Sequence, residues 1–393
     1  VDVYTDPEAH VIGPRSFGDD PAQAGLLGAA YFRGHEEQGI IAVAKHFPGH
    51  GGVTGDSHLL MPSSDVSFKT LWERDILPFR ILSAEGIPAI LSGHLSFPRI
   101  TGSTIPASFS PYFNQTILRE QIGFSGIIIT DDLYMYGALD YGRQHNEDIA
   151  DLVIRAIHSG SDMVMLSHTP EFNGEIWNKL LFNYRNDEEF RDHVNDSVRR
   201  ILRVKLEYLH DSVRQVPLNP SPSQIYANIP QEDAQNYFDD QALRSVTLLS
   251  DSLPEIDPEE RILLAGHNYA FFRIGREFFP NADEYRFQND YFHFSTSRDR
   301  DSMKEIAGNY DRIIYALSDP NTAQVLEGLE DFQDRIIVFS LLSPVYLGEL
   351  SWQPDGVAVY GWYNRCARAG FSVLTGAAEA MGHLPIHHML END

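Results

Sequence analysis

Residues 45–58 read KHFPGHGGVTGDSH: a lysine, three histidines and an aspartate set among four glycines and a proline. Imidazole is the side chain whose ordinary titration lies nearest neutrality. An Asp–X–His pair can hold it through one ring nitrogen and leave the other to move a proton. Asp56 and His58 are therefore a candidate proton-transfer pair. Lys45 and His46 follow the apolar run IIAVA (40–44), the place where a strand delivers side chains to a sheet edge. Pro48 and the glycines forbid a helix and predict a loop, whose mobile backbone would carry the proton-transfer group to a reaction held elsewhere. A second stretch, GFSGIIITDDLYMYGA (123–138), runs an apolar strand straight into Asp131 and Asp132. Adjacent residues of a strand point in opposite directions, so one of these carboxylates is expected in the site and the other in a cap or loop.

Other chemistries fit these residues less well. His46, His50, Asp56 and His58 include zinc-type ligands, but the proline and glycine inside HFPGH keep its two imidazoles from sharing a helix face. GHGGVTG lacks the Gly-Lys-Ser/Thr ending of a phosphate loop. His50, and His94 in LSGHLSFP, also suit purely structural roles, and the tail IHHMLEND reads as a solvated end. Cys366 is the one cysteine, which excludes an intramolecular disulfide and fits a small buried apolar residue.

The elements that must position these groups alternate along the chain. Apolar runs at 1–3 (VDV), 40–44, 87–92 (IPAILS), 126–130 (GIIIT) and 162–167 (DMVMLS) suit strands buried in a parallel sheet. Between them, SFKTLWERDILPFRIL and NEDIADLVIRAIHSG have helical spacing, so the rhythm is that of an α/β domain. Val194, Val198, Ile201, Leu202, Leu206 and Leu209 predict an amphipathic helix that closes this domain. Pro217, Pro220 and Pro222 then mark a boundary, because proline does not continue a helix. The second half repeats the rhythm at 245–250, 261–266, 312–318, 335–341 and 356–362, a second α/β layer domain.

With 393 residues the chain has room for two domains, and 42% hydrophobic with 22% charged residues is an ordinary globular composition. A net charge of −26 argues against nucleic acid and anionic membranes as partners, and no apolar run is long enough to span a bilayer. Val1 is not an initiator methionine, and VDVYTDPEAH is not a signal peptide; the chain is expected to be processed or truncated, so the bacterial cytoplasm and the cell envelope both stay open.

Taken in order, VIGPRSFGDDP, KHFPGHGGVTGDSH, GFSGIIITDDLYMYGA and AIHSGSDMVMLS resemble glycoside hydrolase family 3, in its β-N-acetylglucosaminidase branch. The resemblance is strong over 1–206 and weak beyond, where VTLLSDSLPEI and VLTGAAEAMGHLPI look like the second domain of two-domain members. KHFPGHG followed by DSH is the most specific part. The family fold implied is a (β/α)8 TIM-type barrel followed by an α/β sandwich domain. The corresponding spans are a partial catalytic barrel at 1–210, a linker at 211–230 and the second domain at 231–393. About five barrel-type strands are visible where a closed barrel needs eight, so the sheet is expected to lack N-terminal strands or to be completed in another way.

The same resemblance implies that Asp131 is the nucleophile, His58 the general acid/base and Asp56 its charged partner, while Lys45, His46 and Arg15 bind the terminal sugar. It implies a retaining, exo-acting β-N-acetylglucosaminidase that needs no metal and no cofactor. Its substrates would be GlcNAc-containing chitooligosaccharides or muropeptides from peptidoglycan. Three alternatives stay open: phosphate in place of water as acceptor, a family 3 β-glucosidase or β-xylosidase, and an inactive sugar-binding protein. The intact residues Arg15, Lys45, His46, Asp56, His58 and Asp131 argue against the last.

Overall fold

Four of the five apolar runs in the first half form strands: β1 (Val43–Phe47), β2 (Ala89–Ser92), β3 (Ile127–Asp132) and β4 (Met163–Met165). The chain is seen here in a computed structural model that describes residues 1–7, 9, 12–53, 61–209, 219–229, 231–257, 259–287 and 296–386. It divides into two compact units, Val1–Leu218 and Asn219–Asp393.

In the first unit the sheet is parallel and runs in chain order, β1-β2-β3-β4. Helical segments connect neighbouring strands, among them Leu77–Ala84 between β1 and β2 and Ile149–His158 between β3 and β4. The latter begins with a reciprocal cap between Asp148 and Asp151 that satisfies free N–H groups of the first turn. Side chains alternate across the sheet. Ala44, Ile90 and Ile128 join a core with Phe47, Phe79, Phe113 and Ile117, while Ala89 and Ile127 pack against Val204 and Tyr208 of the long helix Glu188–Leu209. That helix is pinned by Asp162, fully buried, which accepts from Arg119 at 2.5 Å, Arg200 at 2.8 Å, Ser197 at 2.9 Å and the Ile128 N–H at 2.8 Å.

One expectation for this unit is corrected. VDV at 1–3 is not a strand: one backbone bond joins Val1 N to Lys45 O, and the next ladder position is taken by a side chain, because the His46 N–H donates to the Asp2 carboxylate. As expected of a partial barrel, the described residues do not close one. They form an open row of four strands with β1 and β4 at its edges, and a closed barrel needs about eight.

The second unit is a six-stranded sheet: β5 (Thr247–Leu248), β6 (Ile262–Gly266), β7 (Asp283–Arg286), β8 (Arg312–Leu317), β9 (Ile336–Ser340) and β10 (Asp355–Ala358). Their order is β5-β10-β9-β8-β6-β7, all parallel except β5, which pairs antiparallel with β10. Leu264, Ile314, Ile337 and Phe339 face one core with Phe271 and Phe371. Their strand neighbours Leu263, Ile313, Tyr315 and Val338 are buried as well, so both faces are covered. β7 is absent from the expected strands: DEYR at a sheet edge is polar and half exposed, and gives no apolar signal.

The expected linker is partly helical. Pro222 opens the helix Pro222–Asn228, with Ser221 and Gln224 as a capping box, because proline at a first helical position loses no bond. Residues 210–218 lie outside the described set. Among the described residues no helix is long and apolar enough to cross a membrane.

Candidate active site

The site assembles where two strands break their register. Between the pairs Ala44–Ile90 and Phe47–Ser92, β1 advances three residues while β2 advances two. Between Ile129–Met163 and Asp132–Met165, β3 likewise carries one residue more than β4. A bulge of this kind re-aims side chains, and these two fall on Lys45-His46 and on Thr130-Asp131. At the second slip the Thr130 hydroxyl accepts the Met165 N–H at 3.0 Å, a side chain standing in for the ladder.

Asp2 fastens the first bulge. One carboxylate oxygen accepts the backbone N–H of His46 at 3.0 Å and of His50 at 2.8 Å; the other meets His46 Nδ1 at 2.7 Å. Burial alone would favour the neutral acid, but the attraction and hydrogen bond of His46 outweigh it and hold this carboxyl far below the ordinary range. The other side of the His46 ring is 3.4 Å from Arg15, which ends the short turn Gly13–Arg15. The His50 ring stands edge-on to that of His46, with centroids 5.6 Å apart, and is buried with neither ring nitrogen bonded among the described residues. Its pKa is lowered, chiefly by burial.

The glycines here serve close packing rather than motion. A Cβ on Gly51 would lie 1.9 Å from the carbonyl oxygen of Val3, and Gly49 has φ +132° with Asp75 directly beneath it. Residues 48–51 and 53 are buried. The expected mobile loop is therefore corrected for its described part. Gly55, Asp56 and His58 lie outside the described residues.

The Asp131–Asp132 pair separates cleanly. Asp132 accepts the backbone N–H groups of Tyr134 and Ser167, both at 3.0 Å, and anchors the turn after β3. Burial opposes its charge, yet these bonds lower its pKa on balance. Asp131 accepts only the N–H of Asp132, at 2.9 Å, among the described residues. His94, just beyond β2, supports the pair from below: its Nε2 is 3.0 Å from Asp132 O and its Nδ1 2.7 Å from the Ser108 hydroxyl. Burial lowers its pKa, and the carbonyl requires the proton on Nε2.

Lys45 ties the cluster together electrostatically. Its pKa is lowered by burial first and then by Arg15, and raised by the carboxylates of Asp131 and Asp2. The structure thus brings Arg15, Lys45, His46 and Asp131 to one sheet edge. Arg15 and Lys45 also line a cavity of about 630 Å³ with Phe17, Tyr31 and Val43. Among the described residues no group of three His, Cys, Asp or Glu could hold a metal ion.

Asp2, Asp75 and His94 belong to the site's frame; His94 reads in the sequence as a structural histidine, while Asp2 and Asp75 were not anticipated. Asp75 is buried, paired with Arg74 at 3.0 Å, and burial pushes its carboxyl up to about 6. The only sequence signal for Asp2 is a charge between two valines, too common to single out.

The family model of the glycosyl hydrolase family 3 N-terminal domain matches residues 1–204. A β-hexosaminidase of Methylococcus capsulatus is 41% identical over 170 residues, which cover 43% of this chain and 49% of that protein. One from Hydrogenovibrio crunogenus is 35% identical over 173 residues, covering 44% and 46%. The chain thus spans about half the length of the curated relatives it matches. Among solved structures, a family 3 β-N-acetylglucosaminidase of Paenibacillus superposes with a TM-score of 0.82 at 23% identity, over 100% of this chain and 76% of that one. A β-glucoside phosphorylase does so with 0.77 at 19%, over 98% and 73%; at such identities the likeness concerns the fold. The chain belongs to glycosyl hydrolase family 3.

Proposed function

We propose that this protein is a retaining, exo-acting β-N-acetylglucosaminidase, which removes terminal GlcNAc from chitooligosaccharides or peptidoglycan fragments. The observation that carries the proposal is the split between two adjacent acids: Asp132 is consumed by backbone bonds, while Asp131 is left beside Lys45, Arg15 and His46. The β-hexosaminidase names of the relatives point to the same sugar.

In this mechanism Asp131 attacks the anomeric carbon and forms a glycosyl ester, and the aglycone oxygen leaves with a proton from His58. His58, held in its tautomer by Asp56, then takes a proton from water, whose oxygen attacks the same carbon and frees Asp131. Lys45 and Arg15 supply fixed positive charge that orients the carboxylate and the sugar hydroxyls.

The test pairs stereochemistry with leaving-group dependence. Released GlcNAc should appear first as the β-anomer by NMR. His58→Ala should slow hydrolysis of chitobiose by about 10²–10⁴-fold and that of the p-nitrophenyl glycoside much less, since a good leaving group needs little protonation. Release of the α-anomer, or equal losses on both substrates, would overturn the assignment; formation of a sugar 1-phosphate in phosphate buffer would identify a phosphorylase instead.

A further inference from the structure

Asp131 and Asp132 run past the end of β2. The register of β2 with β3 stops at Ser92–Thr130, and Gly93 turns away to donate its N–H to Phe47 O at 2.9 Å. The Asp132 carbonyl, beyond that point, accepts instead from a side chain, His94 Nε2 at 3.0 Å. The ring's other nitrogen, Nδ1, lies 2.7 Å from the Ser108 hydroxyl. Behind Ser108 stands a buried polar set. The Ser108 carbonyl accepts from Ser159 Oγ at 2.9 Å and from Asn114 Nδ2 at 3.3 Å, and Asn114 Oδ1 accepts from Ser92 Oγ at 2.9 Å. Ser92, His94, Ser108, Asn114 and Ser159 are each at most 1% exposed. Buried polar groups bonded in this way hold one arrangement, since others leave a donor or acceptor unpaired.

We propose that His94 is a positioning residue for the nucleophile: through the Asp132 carbonyl it sets the direction in which the Asp131 carboxylate points. The inference rests on the hydrolase function proposed above; the hydrogen bond from His94 to Asp132 does not. Asp131 has little to aim it from its own side chain, because among the described residues its carboxylate bonds only to the N–H of Asp132. The residue after it is fixed at three points. Its carbonyl is held by His94, its carboxylate by the N–H groups of Tyr134 and Ser167, and the next N–H, of Leu133, by Met165 O at 3.0 Å. A carbonyl only accepts, so Nε2 carries the proton. Burial disfavours a second proton even against the pull of Asp131 and Asp132, so the ring is neutral and Nδ1 accepts from Ser108. That neutrality matters to rate. A cation beside Asp131 would stabilise the free carboxylate, whose charge is spent as the glycosyl ester forms, and so slow that step.

Two half-replacements on the full chain separate aiming from mere packing. Glutamine places its amide near the position of Nε2 and asparagine near that of Nδ1. His94→Gln therefore keeps a donor for Asp132, and His94→Asn keeps the contact with Ser108. With chitobiose, whose poor leaving group makes glycosyl-ester formation the slow step, His94→Asn should lower kcat about 10–100-fold with KM within about twofold. His94→Gln should stay within about threefold of the wild-type kcat, although each variant loses one buried bond and both should melt earlier by similar amounts. Equal kcat losses in the two variants, a loss read in KM alone, or a folded His94→Asn with wild-type kcat each overturn the proposal. In long-range 15N–1H NMR spectra, wild-type His94 should show a protonated Nε2 and a bare Nδ1 through the neutral range; a bare Nε2 overturns the assignment without reference to any sugar. A wild type that cleaves no GlcNAc glycoside, yet shows that Nε2–H, overturns the hydrolase function and the aiming role while the bond to Asp132 stands. If His94→Asn fails to fold, His94→Gln decides: a kcat within about threefold supports the proposal and a larger loss overturns it. If neither folds, the wild-type spectrum decides alone.

Discussion

The two sheets of this protein use the same kind of apolar strand and treat it differently. In the second unit the parallel pairs β6–β7, β6–β8, β8–β9 and β9–β10 run without a break, and apart from the polar edge strand β7 their buried residues are mostly Ile, Leu, Val, Ala and Phe. In the first unit, β1–β2 and β3–β4 each slip by one residue near the ends of β1 and β3, and only β2–β3 runs clean. Titratable side chains are buried beside the first slip: Asp2, His46, His50 and Asp75 all lie below a tenth exposure. A regular ladder satisfies every backbone group and maximises apolar contact, but it fixes side-chain direction by the pleat. A bulge gives up ladder bonds and gains a choice of direction, and here side chains of Asp2 and Thr130 make good the missing bonds. Irregularity and buried titratable side chains thus gather at the candidate site, and the unbroken ladders at the apolar core of the second unit.

The strongest way to break this contrast is at the two aspartates. Asp131→Ala should lower turnover by roughly 10⁴-fold or more with the melting temperature nearly unchanged, since among the described residues its carboxylate holds only its own neighbour's N–H. Asp132→Ala should destabilise by about 1–2 kcal/mol, the scale of a lost cap, because two backbone donors lose their acceptor. If Asp131→Ala melted as early as Asp132→Ala, the division of labour between them would be wrong.

Next in size is the regular sheet. Phe339, fully buried among Phe271 and Phe371, should cost about 3–5 kcal/mol when replaced by Ala, read by urea unfolding of the second unit's transition. A loss below 1 kcal/mol would mean that this core is far less tightly packed than its burial implies.

The smallest effect concerns buried charge. Burial raises the Asp75 carboxyl to about 6, against a smaller opposing pull from Arg74, so the fold favours its protonated form. That contribution is complete below the ordinary carboxyl value of 3.8 and is lost as pH rises through about 6. Asp75→Asn, which mimics the neutral acid, should therefore match the wild type near pH 4 and exceed it above about pH 7, by at most ~3 kcal/mol. Parallel stability curves for the two proteins across that range would show that Asp75 is charged throughout and that the Arg74 pair dominates.

Much of the fold was legible because burial on both faces leaves long apolar runs. IPAILS, GIIIT and RIIVFS each became a strand within a residue or two of expectation. The exceptions are instructive. VDV has strand composition, but its aspartate turns inward and takes the donors that a strand would have used. DEYR is a strand without strand composition, because an edge has one neighbour and faces water. The glycines of KHFPGHGG read as mobility when seen alone; in place they are what lets the Val3 backbone and Asp75 approach.

What the sequence determined by itself was the list of reactive groups and their delivery: apolar runs end in Lys45-His46 and in Asp131-Asp132 because strands buried on both faces must release polar residues at their ends. Only the tertiary structure decided which members of that list are free to react. Asp2 reaches His46 across 44 positions and His94 reaches Asp132 across 38, and contacts between such distant positions arise from packing, not from local spacing. Hydrogen bonding is short-ranged and saturable, so a carboxylate fully bonded to backbone is structural and its neighbour is not, a distinction that adjacent identical letters do not carry.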